Sequence, residues 1–304
     1  MSQEKVKHRE RLSGVFAPLA TPFDGQGNLL LEKLASNVEK LNKTRLRGYL
    51  ALGTNGEFRS LSAPEQIKVL KTIVSAASPE KVIMAGTGAE STPVTIELCQ
   101  QAAEIGAHYG SLITPFFFAK KMSDRALIDY FIQVAERSPI PVLLYNNPGV
   151  TNITMSTTVI KEVSSHPKIL GMKDSSAGNL SAYLVSAQPG FCVLAGSANF
   201  FFTGLIMGAV GGVLSLADVF PETCCNLYEL GVAGKLKEGR DLQLQILKLN
   251  QMVSGKFGVA GVKAAMDLVG FYGGPPRAPL PSLTTEEKKK LREDLVASGF
   301  MKEL

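Results

Sequence analysis

Phe200-Phe201-Phe202-Thr203-Gly204-Leu205-Ile206-Met207-Gly208-Ala209-Val210-Gly211-Gly212-Val213-Leu214-Ser215-Leu216-Ala217 has two physical meanings, and the fold turns on which one holds. The run approaches the ~18 apolar residues of a membrane span. It lies in a window, Asp174 to Asp218, with no charged residue between its ends, and Gly204 and Gly208 stand at G-x-x-x-G spacing. The same run also suits a buried helix followed by a buried strand, because parallel strands covered on both faces lose polar alternation. Gly211-Gly212 splits it and no Lys/Arg cluster flanks it, which favours the buried α/β core and no membrane association.

On either side of this segment the chain keeps the same rhythm. Short apolar, β-branched runs bounded by Gly, Pro or polar turns occur at Gly14–Thr21, Gly48–Gly53, Lys81–Thr87, Tyr109–Thr114, Pro141–Asn146, Ile169–Asp174, Phe191–Ser197 and Gly211–Leu216. Helical periodicity fills the intervals at Leu30–Asn42, Ala63–Ala76, Pro93–Ile105, Ser123–Arg137, Met155–Ser164, Ala177–Ala187 and Ala198–Met207, with caps expected at Ser62, Thr92 and Ser123. Eight strands alternating with helices predict an α/β chain built as a (β/α)8 TIM barrel with a C-terminal helical appendage. A doubly wound sheet is the competitor. Its glycine fingerprint is missing, since Gly86-Thr87-Gly88-Ala89-Glu90-Ser91 has no third glycine. The expected organisation is a tail at residues 1–11, the barrel at 12–233 and an extension at 234–304 of three helices, Leu236–Met252, Val259–Val269 and Thr285–Ala297.

Composition narrows the function. With 304 residues, 45% hydrophobic and 19% charged, the chain can bury a full core. The formal charge of +5 comes largely from terminal basic runs, and aromatics make up 7% with no Trp, so neither a nucleic-acid groove nor a stacking platform is expected. Cys99, Cys192, Cys224 and Cys225 contain no C-x-x-C and are expected to be reduced thiols. His8, His108 and His166 lie in no H-E-x-x-H or triad setting, which argues against a metalloprotease or triad hydrolase. Met1 to Leu12 lacks an apolar h-region and carries acidic residues, so the expected compartment is the cytoplasm.

In a barrel of this kind the chemistry sits at the C-terminal ends of the strands. After the second strand comes Gly53-Thr54-Asn55-Gly56-Glu57, whose glycines let backbone N–H groups face an anion while Thr54 and Asn55 add side-chain donors. The same turn could be purely conformational. Tyr145 ends the fifth strand and Lys173 is near the end of the sixth. Strand alternation puts Ile169, Gly171 and Lys173 on one face and Leu170, Met172 and Asp174 on the other. A desolvated lysine on an inward face becomes a neutral, nucleophilic amine, whereas a rim lysine would snorkel to solvent. An amine and a phenol in one barrel mouth suit imine chemistry on a keto acid.

Gly53-Thr54-Asn55-Gly56-Glu57, Tyr145-Asn146-Asn147-Pro148 and Gly171-Met172-Lys173-Asp174-Ser175, in this order, resemble the dihydrodipicolinate synthase and N-acetylneuraminate lyase superfamily of class I, pyruvate-dependent aldolases. The similarity runs from about Leu12 to Leu295 and includes Gly196-Ser197, Gly211-Gly212 and Gly273-Gly274-Pro275-Pro276-Arg277-Ala278-Pro279-Leu280. The resemblance implies that Lys173 forms a Schiff base with pyruvate or the pyruvyl half of a substrate and that Tyr145 relays protons. It also implies that Thr54 and the Asn55 amide region bind the pyruvyl carboxylate, with Gly53, Gly196, Ser197 and Leu214 completing the substrate site. No metal and no organic cofactor is implied beyond the covalent imine on Lys173, and a homotetramer or homodimer is expected.

Two departures from the family's pattern bear on the substrate. Val150 occupies the place of an arginine that holds a second carboxylate in dihydrodipicolinate synthases, and Phe117 stands in Thr114-Pro115-Phe116-Phe117-Phe118 where most relatives have a proton-relaying tyrosine. The motifs look most similar to 4-hydroxy-2-oxoglutarate aldolases, so the expected reaction is cleavage of a 2-keto acid to pyruvate and an aldehyde. Dihydrodipicolinate synthesis, cleavage of a 2-keto-3-deoxy sugar acid, and keto-acid binding without turnover are the alternatives.

Overall fold

The computed structural model describes residues 3–302, so the outermost ends of the expected tail and extension, residues 1–2 and 303–304, lie outside it. Eight parallel strands close on themselves in sequence order: β1 Gly14–Ala17, β2 Gly48–Ala51, β3 Val82–Gly86, β4 Tyr109–Ile113, β5 Val142–Asn146, β6 Ile169–Asp174, β7 Cys192–Ala195 and β8 Gly211–Val213. β1 pairs with both β2 and β8, which seals the (β/α)8 TIM barrel. The uncharged apolar run at residues 200–217 folds as the end of a 3-10 turn, Ala198–Phe200, and a short helix, Phe201–Met207, leading into β8. No described helix is long and apolar enough to cross a membrane.

Seven of the eight strands are shorter than the apolar runs that announce them, while β6 matches its run, and the local reasons are visible at β1 and β2. β1 stops at Ala17 because Pro18 has no N–H to offer the ladder. β2 stops at Ala51 because Leu52 turns to a left-handed φ of 55°. Ser62 forms a capping box with Glu65 at the helix Ala63–Ala76, and the Ser123 hydroxyl accepts from the Ala126 N–H at 3.3 Å. Thr92 is not a cap but the first helical residue of Thr92–Ile105, followed by Pro93 in the first turn.

The segment expected as a tail forms a helix, Gln3–Leu12, whose His8 ring nitrogen lies 2.8 Å from the buried Tyr109 hydroxyl of β4. The helix Pro221–Val232, absent from the sequence reading, completes the ring after β8. Three further helices, Leu236–Asn250, Gly258–Leu268 and Thr285–Ala297, follow; the first continues into a π-helical turn, Gln251–Gly255.

Phe16, Leu50, Val82, Met84, Tyr109, Leu143, Leu170 and Leu194 fill the barrel interior as one cluster, and a larger cluster lies between strands and helices. Strict alternation on β6 fails at one point. The β5–β6 register shifts between Val142 and Leu143, so Leu170 joins the inner cluster and Ile169 the outer one, the reverse of the expected assignment. Beyond the shift Tyr145 pairs with Lys173 and Leu143 with Gly171, and the inward face is restored where it matters.

Candidate active site

Lys173 and Tyr145 sit side by side at the C-terminal ends of β6 and β5, the lysine 7% and the tyrosine 5% exposed. The Lys173 Nζ is 4.2 Å from the centroid of the Tyr145 ring, within cation–π range. The Tyr145 hydroxyl accepts from Asn147 Nδ2 at 2.8 Å and lies 3.3 Å from Thr54 Oγ1. Burial raises the phenol's pKa, but the Lys173 charge and the Thr54 hydrogen bond outweigh it, so Tyr145 is easier to ionise than free tyrosine. Thr54, Tyr145 and Lys173 therefore come together as expected. Asn147 joins them through a contact that the motif contained but the sequence reading did not assign.

The loop carrying Thr54 is bracketed by two non-glycine residues in the left-handed region, Leu52 at φ 55° and Glu57 at φ 51°. Glu57 is held there by a buried network. Its Oε1 accepts from Lys263 Nζ at 2.7 Å and its Oε2 from the Arg277 backbone N–H at 2.8 Å. Lys263 also donates to the Thr21 carbonyl at 2.8 Å, and the Thr21 hydroxyl donates to the Gly56 carbonyl at 2.7 Å. The C-terminal extension thus fixes the back of the loop. The sequence reading missed Lys263, whose only local trace is a lone cation in the apolar helix Gly258–Leu268.

Asn55 differs from its expected role. Its side-chain amide donates to Asp218 Oδ2 at 2.9 Å, and its Oδ1 accepts from the Ser215 hydroxyl at 3.2 Å. Both ends of the side chain are committed inside the protein. The backbone N–H groups of Thr54 and Asn55 have no hydrogen-bond partner among the described residues, so they are the donors left to an anion.

Gly53 lines a cleft with Thr54, Ser111, Ile113 and Tyr145. Gly196 follows β7; its N–H donates to the Asp174 carbonyl at 2.7 Å, and a Cβ there would strike the Ser175 hydroxyl. The Ser197 hydroxyl caps the 3-10 turn by accepting from the Asn199 N–H at 3.2 Å. Leu214 is fully buried, with its N–H on the Phe16 carbonyl at 3.0 Å. Asp174 points away from the lysine, accepting from Asn146 Nδ2 at 2.8 Å and from the Ser176 hydroxyl at 2.7 Å, and burial raises its pKa. Phe117 is 75% exposed and edge-stacked on Phe118; the Glu90 carboxylate pins the loop by accepting from the Phe116 and Phe117 N–H groups, both at 3.0 Å. Val150 lies half-exposed on the single helical turn Pro148–Thr151.

A buried amine against an activated phenol, a hydroxyl bridging to it and a backbone anion cradle can bind a carboxylate, attack an adjacent carbonyl and shuttle protons. Comparison with known proteins shows what the whole chain is similar to. The sequence profile of the dihydrodipicolinate synthetase family matches residues 11–298. A 4-hydroxy-tetrahydrodipicolinate synthase of Exiguobacterium sp. is 34% identical over 92% of this chain and 95% of its own length. A probable mitochondrial 4-hydroxy-2-oxoglutarate aldolase of Emericella nidulans is 31% identical, covering 95% of each chain. Among solved structures, a chloride-inhibited dihydrodipicolinate synthase from Acinetobacter baumannii, complexed with pyruvate, superposes with a TM-score of 0.90 at 26% identity, covering 95% of this chain and 100% of that one.

Proposed function

The chain belongs to the dihydrodipicolinate synthetase family of class I, pyruvate-dependent aldolases, and on that premise we propose that Lys173 is its imine-forming nucleophile and that it cleaves a 2-keto acid such as 4-hydroxy-2-oxoglutarate. The contact of the Lys173 amine with the Tyr145 ring, at 4.2 Å, carries this reading. The substrate carboxylate is held by the Thr54 and Asn55 backbone N–H groups and the Thr54 hydroxyl, which sets the keto carbon against Lys173 Nζ.

Lys173 passes a proton to the Tyr145 phenolate and the freed amine adds to C2; Tyr145 then delivers that proton to the carbinolamine oxygen, which leaves as water to give the protonated imine. The Tyr145 phenolate then takes the C4 hydroxyl proton. The C3–C4 bond breaks, its electron pair passes to the iminium as an enamine, and an aldehyde departs. Protonation at C3 and hydrolysis release pyruvate and restore Lys173. The lowered pKa of Tyr145 suits both directions of transfer, and the iminium serves as electron sink with no metal or organic cofactor.

Dihydrodipicolinate synthesis is the second reading, favoured by the name of the 34% identical relative. Val150 weighs against it, because that loop then offers no guanidinium to a second carboxylate. Borohydride reduction with pyruvate, followed by peptide mass spectrometry and a Lys173→Ala control, tests the imine; a folded protein with no adduct at Lys173 overturns it. Steady-state assays with 4-hydroxy-2-oxoglutarate, a 2-keto-3-deoxy sugar acid, and aspartate semialdehyde plus pyruvate then separate the substrates. Assembly as a homo-oligomer belongs to this proposal and is read by sedimentation.

A further inference from the structure

We propose that Asp218 is a positioning residue whose protonation sets the affinity of the Thr54–Asn55 loop for the keto-acid carboxylate. In its neutral form it anchors Asn55 without opposing an anion. Once ionised, it sets a negative charge one hydrogen bond behind the cradle and weakens binding. This rests on the reading that the loop takes the pyruvyl carboxylate.

Asp218 ends the 3-10 turn Ser215–Asp218 that follows β8, and its side chain is fully buried. Oδ2 accepts from Asn55 Nδ2 at 2.9 Å, whereas Oδ1 has no hydrogen-bond partner among the described residues. Two carboxylate oxygens served by a single donor are poorly compensated when charged. Asn55 is gripped from two sides, by Asp218 and by the Ser215 hydroxyl, so the turn after β8 determines where the loop after β2 can stand.

The surroundings favour the neutral acid. Burial pushes the Asp218 pKa up to about 7, although the Asn55 hydrogen bond and the Lys173 charge both act to lower it. β1 and the π-helical turn pack on this segment without contributing a titratable group. The helix Pro221–Val232 brings the buried Cys224 thiol, which burial, Cys225 and Asp218 all keep protonated. Glu222 and Glu229 on that helix are engaged by Arg45, and Tyr228 lies on the same helix. The helix Gly258–Leu268 carries Lys263, paired with Glu57, and Asp267, which accepts from the Gly273 N–H. Above about pH 7, carboxylate binding then takes up one proton onto Asp218.

The test measures the half-saturating pyruvate concentration for borohydride-trapped adduct at Lys173 from about pH 5 to about pH 9. Wild type, Asp218→Asn and Asp218→Ser are compared, the serine variant covering failure of the isostere to fold. The pyruvate-induced rise in melting temperature, which needs binding but no imine, is followed in parallel. In wild type the half-saturating concentration is expected to climb above about pH 7 toward the tenfold per pH unit of a one-proton linkage, and that component is lost in the variants. A wild-type profile with no such rise, or one shared by the variants, overturns the role of Asp218. Absence of the Lys173 adduct together with an intact, pH-linked thermal shift overturns the imine mechanism and leaves the role of Asp218 standing.

Discussion

Glu57 and Lys263, 206 residues apart in the chain, form a 2.7 Å ion pair whose side chains are 1% and 0% exposed. One end belongs to the loop that presents Thr54, the other to a helix of the C-terminal extension. With the Arg277 N–H on its second oxygen, the Glu57 carboxylate is almost fully committed, and a left-handed residue is kept in place that an exposed loop would relax. The extension is in this way part of the site's support.

Breaking the pair from one side leaves an uncompensated buried charge. Lys263→Met is expected to cost about 3–5 kcal/mol of unfolding free energy in chemical denaturation. The double variant Lys263→Met with Glu57→Gln should recover part of that loss; strictly additive costs would show that the two residues are not coupled.

Tyr145 touches the proposed nucleophile without being one. Tyr145→Phe keeps the ring over Lys173 and removes the hydroxyl shared with Thr54 and Asn147. Turnover is expected to fall about 10²–10⁴-fold, the range of a lost acid–base group, with adduct formation at Lys173 slowed but still detectable. Wild-type turnover in this variant would assign the proton relay elsewhere.

Glu65 and Arg277 supply an acid-sensitive element of the same support, since the Arg277 backbone N–H also donates to Glu57. Arg277 donates to both Glu65 oxygens, at 2.9 and 2.7 Å, and to the Gly27 and Ser60 carbonyls. The Arg277 hydrogen bond leads the effects that lower the Glu65 pKa, from 4.5 to about 2. A depressed acid stabilises the fold above its unfolded pKa, and that stability is lost as pH falls through the folded value. Melting temperatures measured from about pH 5 down to about pH 2 should therefore drop less steeply in Glu65→Gln than in wild type. Parallel curves would deny the linkage.

Val150→Arg places a guanidinium on the half-exposed turn after β5. Condensation of pyruvate with aspartate semialdehyde is expected to rise by at least about tenfold in kcat/KM, the worth of one charge-assisted hydrogen bond. Unchanged kcat/KM would place the second carboxylate of such substrates elsewhere.

What could be read along the chain was whatever leaves a short-range imprint. Eight apolar runs separated by helical periodicity announce the closed barrel, since period and length are local properties of each element. Lys173 and Tyr145 could be named because each is a polar residue at the end of an apolar run, and barrel topology puts such ends on one rim. The folded structure alone decided the rest. A register shift beside Val142 exchanged the faces of Ile169 and Leu170, because pairing between two strands is a property of neither strand by itself. The Asn55 side chain turned inward to Asp218 and Ser215, and Glu57 found Lys263, across separations of 163, 160 and 206 residues. Contacts of that reach carry no periodic signal, and burial energetics select them only once the barrel has brought their elements together.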